Sequence, residues 1–140
     1  MKRLACIVAV AAVASAAAAQ SAGAVDAALI EQRYTPAFQQ CLDRREGQST
    51  HGTIACVGAE MKIQDAALNA AYRDALTRLN PRQQGKLRTA QRAWLAFRDA
   101  DCAAHHDEDW GSLSTISANF CVLRRTVERT IELEEFAVGD

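Results

Sequence analysis

A run of imidazole and carboxylate side chains is the stretch of this sequence whose residue types are best suited to chemistry. His105, His106, Asp107, Glu108 and Asp109 supply five potential metal ligands in succession, and paired carboxylates are also what general acid–base catalysis requires. Side chains on adjacent residues diverge, however, and a closed metal site needs ligands that converge from more than one segment. We therefore interpret the stretch as a solvated acidic loop, with zinc or copper binding through the two histidines as the alternative.

Catalytic motifs of other kinds are missing from the sequence. Serine, histidine and aspartate residues occur, but no nucleophile elbow, glycine-rich turn or strand framework accompanies them. Nothing near the acidic loop supplies a pocket or a nucleophile for its carboxylates. We therefore predict a protein that is not an enzyme and that has no cofactor.

The N-terminal segment is typical of a secretory signal peptide. Met1-Lys2-Arg3 is basic, residues 4–19 are apolar and alanine-rich, and small residues allow cleavage after Ala19 or after Ala24. A retained membrane anchor is the alternative, but about 16 apolar residues fall short of the roughly 20 that a span needs. We expect Cys6, near the start of the apolar run, to leave with the signal peptide.

Export leaves one small, mildly acidic domain, residues 25–140, in the periplasm or outside the cell. Loss of Lys2 and Arg3 leaves 14 basic against 17 acidic residues, a net charge of −3. This charge argues against nucleic acid as a partner and suits a basic protein. A chain of this length forms a single domain with a modest core.

Four cysteines remain after processing, namely Cys41, Cys56, Cys102 and Cys121. An even number in a small exported domain predicts two disulfides, for which three connectivities exist. We favour Cys41–Cys56 and Cys102–Cys121, because each pair would join neighbouring helices across one connection. Zinc is the other use of four cysteines, but the sequence has no C-x-x-C spacing.

Hydrophobic periodicity predicts an all-α fold, a small antiparallel bundle of three long helices and one short one. After a frayed helical lead at 26–34, Thr35-Pro36 caps the short helix, and Asn80-Pro81, with Gln83, caps the central long helix. We expect helices at 36–45, 53–79, 81–105 and 114–136, with Trp94 and Phe97 in the core. The residue pattern of the central helix led us to expect the other segments to pack against it.

Polar residues occupy core-facing rows in two of these helices. Asp65 and Arg98 lie at similar distances from the turn at Asn80, so antiparallel packing would bring them together. We predict a buried ion pair, completed by Asn69 and Gln91, that fixes the register of the helices. The alternative is a binding pocket whose specificity depends on the same polar groups.

The run Q-R-A-W-x-x-F-R-D-A-x-C, within residues 90–102, is the most distinctive part of the sequence. Together with DAALNAAY at 65–72, the four cysteines, Gly111-Ser112, Arg125-Thr126 and Arg129, it resembles the LprI-like lysozyme inhibitor family of small exported helical domains. The resemblance covers about residues 40–133. Trp110 departs from the pattern, which has glycine at that position.

The resemblance implies that the protein inhibits lysozyme by binding it. Lysozymes are commonly basic, so Asp107, Glu108 and Asp109 would raise the association rate and Trp110 would act as an anchor. Packing of Trp110 over the end of the bundle is the alternative for that residue. The alternative function is a general cell-envelope interaction or structural module without affinity for lysozyme.

Overall fold

The structure, a computed structural model, describes residues 25–136 and is built from helices. The predicted signal peptide, residues 1–24, lies outside the described residues. The described stretch contains no strand and has one 3-10 turn, Glu108–Trp110. Its helices are α1 (Ala27–Arg33), α2 (Pro36–Asp43), α3 (Thr50–Thr77), α4 (Pro81–Ala103) and α5 (Ser112–Phe136). The all-α prediction is confirmed, and the predicted helical lead is a separate helix, α1.

Side-chain caps fix where most of these helices begin. Thr35 accepts a hydrogen bond from the N–H of Phe38, and Asn80 forms a reciprocal capping box with Gln83, as predicted. Helix α3 begins three residues earlier than predicted, because Ser49 caps it by accepting from the N–H of Gly52. At Gly52 a Cβ would overlap the carbonyl of Glu46, so this tight connection requires glycine there.

Helices α3 and α5 form the centre of the bundle. They run parallel, with Thr50 of α3 hydrogen-bonded to Ser112 of α5 at their N-terminal ends, and α4 returns antiparallel to both. Buried side chains of α3 and α5 meet along the length of the pair, and α1, α2 and α4 add to them from outside. The buried apolar residues are Ile30, Phe38, Cys56, Val57, Leu68, Ala71, Ala75, Leu87, Cys102, Cys121, Leu123, Val127, Ile131 and Leu133.

The prediction that α4 organises the bundle is therefore wrong. Of its 23 residues, only Leu87, Gln91 and Cys102 are buried, whereas α5 packs against α1, α3 and α4. Helix α5 has a buried residue at almost every position that faces the bundle, so it connects the helices packed around it. Helix α4 packs on one side of this centre and exposes the rest of its surface to solvent.

Two disulfides connect neighbouring helices in the pattern that we favoured. Cys41 of α2 is bonded to Cys56 of α3, and Cys102 of α4 is bonded to Cys121 of α5. Their Cα–Cα distances of 5.8 and 5.4 Å lie within the usual range for disulfides. No helix in the described part of the chain has the length and apolar character required to cross a membrane.

Candidate partner-binding site

The acidic loop after α4 is folded into a single 3-10 turn at one end of the bundle. The carboxylate of Asp107 caps this turn by accepting a hydrogen bond from the N–H of Asp109 at 2.8 Å. The buried hydroxyl of Ser114 lies 2.8 Å from the carbonyl oxygen of Asp107 and 2.7 Å from that of Gly111. Gly111 has φ 61°, a backbone conformation that favours glycine. Local hydrogen bonds therefore anchor the loop to the start of α5.

Three carboxylates and an indole lie on the outer side of this turn. We call Asp107, Glu108, Asp109 and Trp110 the acidic rim; all four residues are exposed. Trp110 is 72% exposed and Leu113, three residues later, is 74% exposed. A tryptophan this exposed buries little against its own chain, so the alternative in which Trp110 packs over the end of the bundle is wrong. Exposed apolar side chains ringed by polar ones are typical of interaction surfaces.

The two histidines beside the rim do not converge with other metal ligands in the described residues. The Nδ1 atom of His105 lies 3.5 Å from the hydroxyl of Ser117, and His106 is exposed. Within residues 25–136 the group of potential ligands that does come together is Asp101, Cys102 and Cys121. Both of these cysteines are bonded in the disulfide, so neither offers a thiolate to a metal.

The predicted ion pair between Asp65 and Arg98 is wrong. Asp65 is exposed and accepts a hydrogen bond from the amide of Asn69 at 3.1 Å. The guanidinium of Arg98 instead donates to Asp99 at 2.8 Å and to the hydroxyl of Thr126 in α5 at 3.4 Å. The prediction assumed that α3 and α4 stay in contact along their whole length, but Arg98 faces α5.

An open groove between α3 and α4 separates the residues of the predicted polar network. Asp65, Asn69 and Gln91 line this groove, which has a volume of about 450 Å³. Gln91 accepts a hydrogen bond from Arg129 of α5 at 3.1 Å. Only Asp65 and Asn69 are hydrogen-bonded to each other, so the four predicted residues do not form one network, although three of them border the same groove.

Aromatic and arginine side chains alternate where α4 meets α5. We call Trp94, Phe97, Arg98, Arg125 and Arg129 the arginine seam. The guanidinium carbons of Arg98 and Arg129 lie 5.4 and 5.9 Å from the ring centroid of Trp94, and that of Arg125 lies 5.7 Å from the centroid of Phe97. These distances are those of cation–π contacts. Trp94 is half-buried, but Phe97 is 54% exposed, so the prediction of Phe97 as a core residue is wrong.

Carboxylates complete the seam on its outer side. Arg125 pairs with Asp101 at 2.9 Å and with Glu128 at 3.2 Å, and Arg129 pairs with Glu132 at 2.8 Å. Burial acts to lower the pKa of Arg125, but the hydrogen bonds to Asp101 and Glu128 outweigh it and raise the pKa overall. The seam therefore holds α4 on α5 with arginine charges that are already paired with carboxylates.

Sequence reasoning missed the buried carboxylate of Glu60. Its side chain is 2% exposed and accepts hydrogen bonds from the N–H of Thr35 at 2.9 Å, the hydroxyl of Thr35 at 2.6 Å and the amide of Gln64 at 2.7 Å. Gln64 also donates to the carbonyl oxygen of Arg33. The spacing of Glu60, Gln64 and Leu68, four residues apart on one face of α3, was the signal that could have revealed it.

The first two helices are also attached through Arg33 and Tyr34. Arg33 pairs with Glu134 at the end of α5 at 2.6 Å, and this hydrogen bond raises the pKa of Arg33. The ring of Tyr34 packs edge-on against Phe38. Burial, followed by the negative charge of Glu31, raises the pKa of Tyr34 to about 12. Both groups therefore have structural partners.

Comparisons with known proteins identify the family. The family described as "Lysozyme inhibitor LprI" matches residues 41–133. An uncharacterized protein of Rhizobium meliloti is 29% identical over 107 residues, which are 66% of this chain and 77% of that protein. The uncharacterized protein YecT of Escherichia coli is 28% identical over 129 residues, 79% of this chain and 80% of that protein.

A solved structure shows the same fold. The crystal structure of a putative uncharacterized protein from Burkholderia thailandensis has a TM-score of 0.57 and 23% identity, and the match covers 81% of this chain. The chain spans about half the length of that protein, since the match covers 54% of it. The family match over residues 41–133 includes α3, α4, α5 and the acidic rim. This chain therefore belongs to the lysozyme inhibitor LprI family.

Proposed function

We propose that the protein is an exported lysozyme inhibitor that acts by binding, without catalysis, and that the acidic rim contacts the enzyme. The observation that carries this proposal is the family match over most of the chain. The two disulfides support export, because such bonds persist in oxidising compartments. Signal-peptide cleavage after Ala19 or Ala24 belongs to the same proposal.

The chemistry of the rim suits a basic enzyme that has a substrate cleft. Three carboxylates within three residues create a negative potential at one end of the bundle and speed the approach of a cationic partner. The exposed indole of Trp110 supplies a large apolar surface, of the kind that dominates binding energy in interfaces.

Lysis of bacterial cell walls by lysozyme provides the test. We expect the purified mature protein, in molar excess, to slow the loss of turbidity in proportion to its concentration. Unchanged lysis at a large excess over lysozymes of different types would contradict the inhibitor proposal and favour an envelope module without lysozyme affinity.

Trp110→Ala tests the proposed anchor. Loss of an interface anchor costs about 2 kcal/mol or more, so we expect the concentration needed for half-inhibition to rise about 30-fold. Ile63→Ala is the matched control, because Ile63 is an apolar residue of α3 that is 49% exposed and lies outside the rim. Equal inhibition by Trp110→Ala and wild type would place the binding surface elsewhere.

Glu108→Gln combined with Asp109→Asn tests the charge of the rim. Asp107 is left intact because its carboxylate caps the turn. We expect the association rate with lysozyme to fall severalfold at low salt and to depend less on ionic strength. Glu46→Gln with Glu135→Gln, two exposed carboxylates outside the rim, removes the same charge as a control. An equal fall in both double variants would show that net charge matters and the rim does not.

A further inference from the structure

The first part of α4 has a charge opposite to that of the protein as a whole. Residues 81–98 contain Arg82, Lys86, Arg88, Arg92 and Arg98 and no acidic residue. The mature chain, in contrast, has a net charge of −3. An uninterrupted run of positive charge therefore lies along one helix, whose C-terminal end leads into the acidic rim.

Four of these five basic side chains are exposed and have no carboxylate partner in residues 25–136. Arg88 donates to Gln84 at 3.3 Å and Arg92 donates to Thr89 at 3.2 Å, both neutral groups on the same helix. Arg82 and Lys86 project into solvent. The arginine seam differs, because Arg98, Arg125 and Arg129 are paired with carboxylates. The four exposed charges are thus not needed to hold α4 on α5.

The spacing of these charges also works against the stability of the helix, because Arg82–Lys86 and Arg88–Arg92 each place like charges four residues apart. The N-terminus of a helix has a partial positive charge, so acidic residues stabilise the first turn and basic ones weaken it. The first turn of α4 has no acidic residue and contains Arg82. Residues that break a local rule of folding are expected at functional sites. The basic half of α4 is therefore better explained by binding than by folding.

The exposed basic residues form two rows with a smooth strip between them. Arg82 and Lys86 form one row and Arg88 and Arg92 the other, each with the four-residue spacing that aligns side chains on a helix. The strip between the rows consists of small, exposed residues: Gly85, Thr89 and Ala93. The rows extend over about 15 Å of the helix. This flat cationic face fits an extended anionic surface better than a single point charge.

We propose that this face of α4 binds the surface of a bilayer that contains anionic phospholipids. Each basic residue near such a surface contributes about 1 kcal/mol, which is about fivefold in affinity. The same surface repels the acidic rim, so a protein bound through α4 keeps the rim available to lysozyme.

Co-sedimentation with lipid vesicles tests this proposal. We expect the purified mature protein to bind vesicles of phosphatidylglycerol and phosphatidylcholine at low salt. We expect no binding to the same vesicles in 0.5 M salt, because salt screens exposed charges. We also expect no binding to vesicles of phosphatidylcholine alone, which have no net negative charge. Absence of binding to the anionic vesicles, or equal binding to both kinds, would overturn the proposal. Sedimentation without vesicles under the same low-salt conditions would also overturn it, since the cationic face would then bind the acidic rim of a second copy.

Arg88→Gln combined with Arg92→Gln tests whether α4 provides the binding surface. We expect about a 30-fold loss of affinity for the anionic vesicles, from two lost charges of about fivefold each. Arg44→Gln with Arg45→Gln removes two exposed arginines outside α4 and should change the affinity little. Equal losses in the two double variants would overturn the assignment to α4. Melting curves of both double variants serve to check that they are folded.

Discussion

Glu60 is a buried residue that ties the connection between α1 and α2 to α3. Its carboxylate accepts three hydrogen bonds from Thr35 and Gln64 in a nearly water-free position. Thr35 lies between α1 and α2 and caps α2. The carboxylate of Glu60 therefore fixes both the cap of α2 and the connection from α1. A charged residue in the core contradicts simple hydrophobic patterning, which is why the sequence did not reveal it.

Glu60→Ala should lower the free energy of unfolding by about 3 kcal/mol, because it leaves the N–H and hydroxyl of Thr35 without an acceptor and removes one of the two acceptors of the Gln64 amide. Urea denaturation followed by circular dichroism measures this change. Glu46→Ala, at an exposed position, should change the free energy by less than about 0.5 kcal/mol. An unchanged urea midpoint for Glu60→Ala would show that the buried carboxylate is not stabilising.

At the scale of elements, the helices and the two disulfide-linked pairs of neighbours were predictable, but the central position of α5 was not. Local signals such as Asn80-Pro81 with Gln83 fixed the start of α4, because a cap depends on residues close in sequence. The choice of α5 as the central helix depends on contacts between distant residues, which periodicity along each helix does not encode. The Asp65–Arg98 pair was predicted incorrectly for the same reason, because it also depends on contacts between distant residues. Acidic residues in a polar connection indicated the rim, but only the structure showed how exposed Trp110 is.

The arginine seam should contribute most of the free energy that holds the middle of α4 on α5. Trp94→Ala removes the ring that lies between Arg98 and Arg129, and we expect it to destabilise the protein by about 2 kcal/mol. Phe97→Ala, at the more exposed aromatic position of the same helix, should cost about half as much or less. Thermal and urea unfolding compare the two variants. A larger loss for Phe97→Ala would contradict the packing described here.

On the scale of the whole molecule, the chain has an acidic rim and a basic helix face on a cross-linked frame. The disulfide between Cys102 and Cys121 lies just below the acidic rim and fixes the end of α4 against α5. Closing loops of 15 and 19 residues by disulfides stabilises a protein by about 3 kcal/mol each in the chain-entropy model. The frame therefore holds the acidic rim at one end of the bundle and the basic residues along the exposed side of α4, so the two proposed partners would contact different surfaces.

Amide hydrogen exchange of the mature protein, alone and mixed with lysozyme, tests the central claim most directly. We expect lysozyme to slow exchange in residues 105–116, which include the acidic rim, Trp110 and Leu113, and to leave the exposed face of α4 unchanged. Exchange that is the same with and without lysozyme throughout the chain, or protection confined to α4, would contradict the claim that the protein binds lysozyme through its acidic rim.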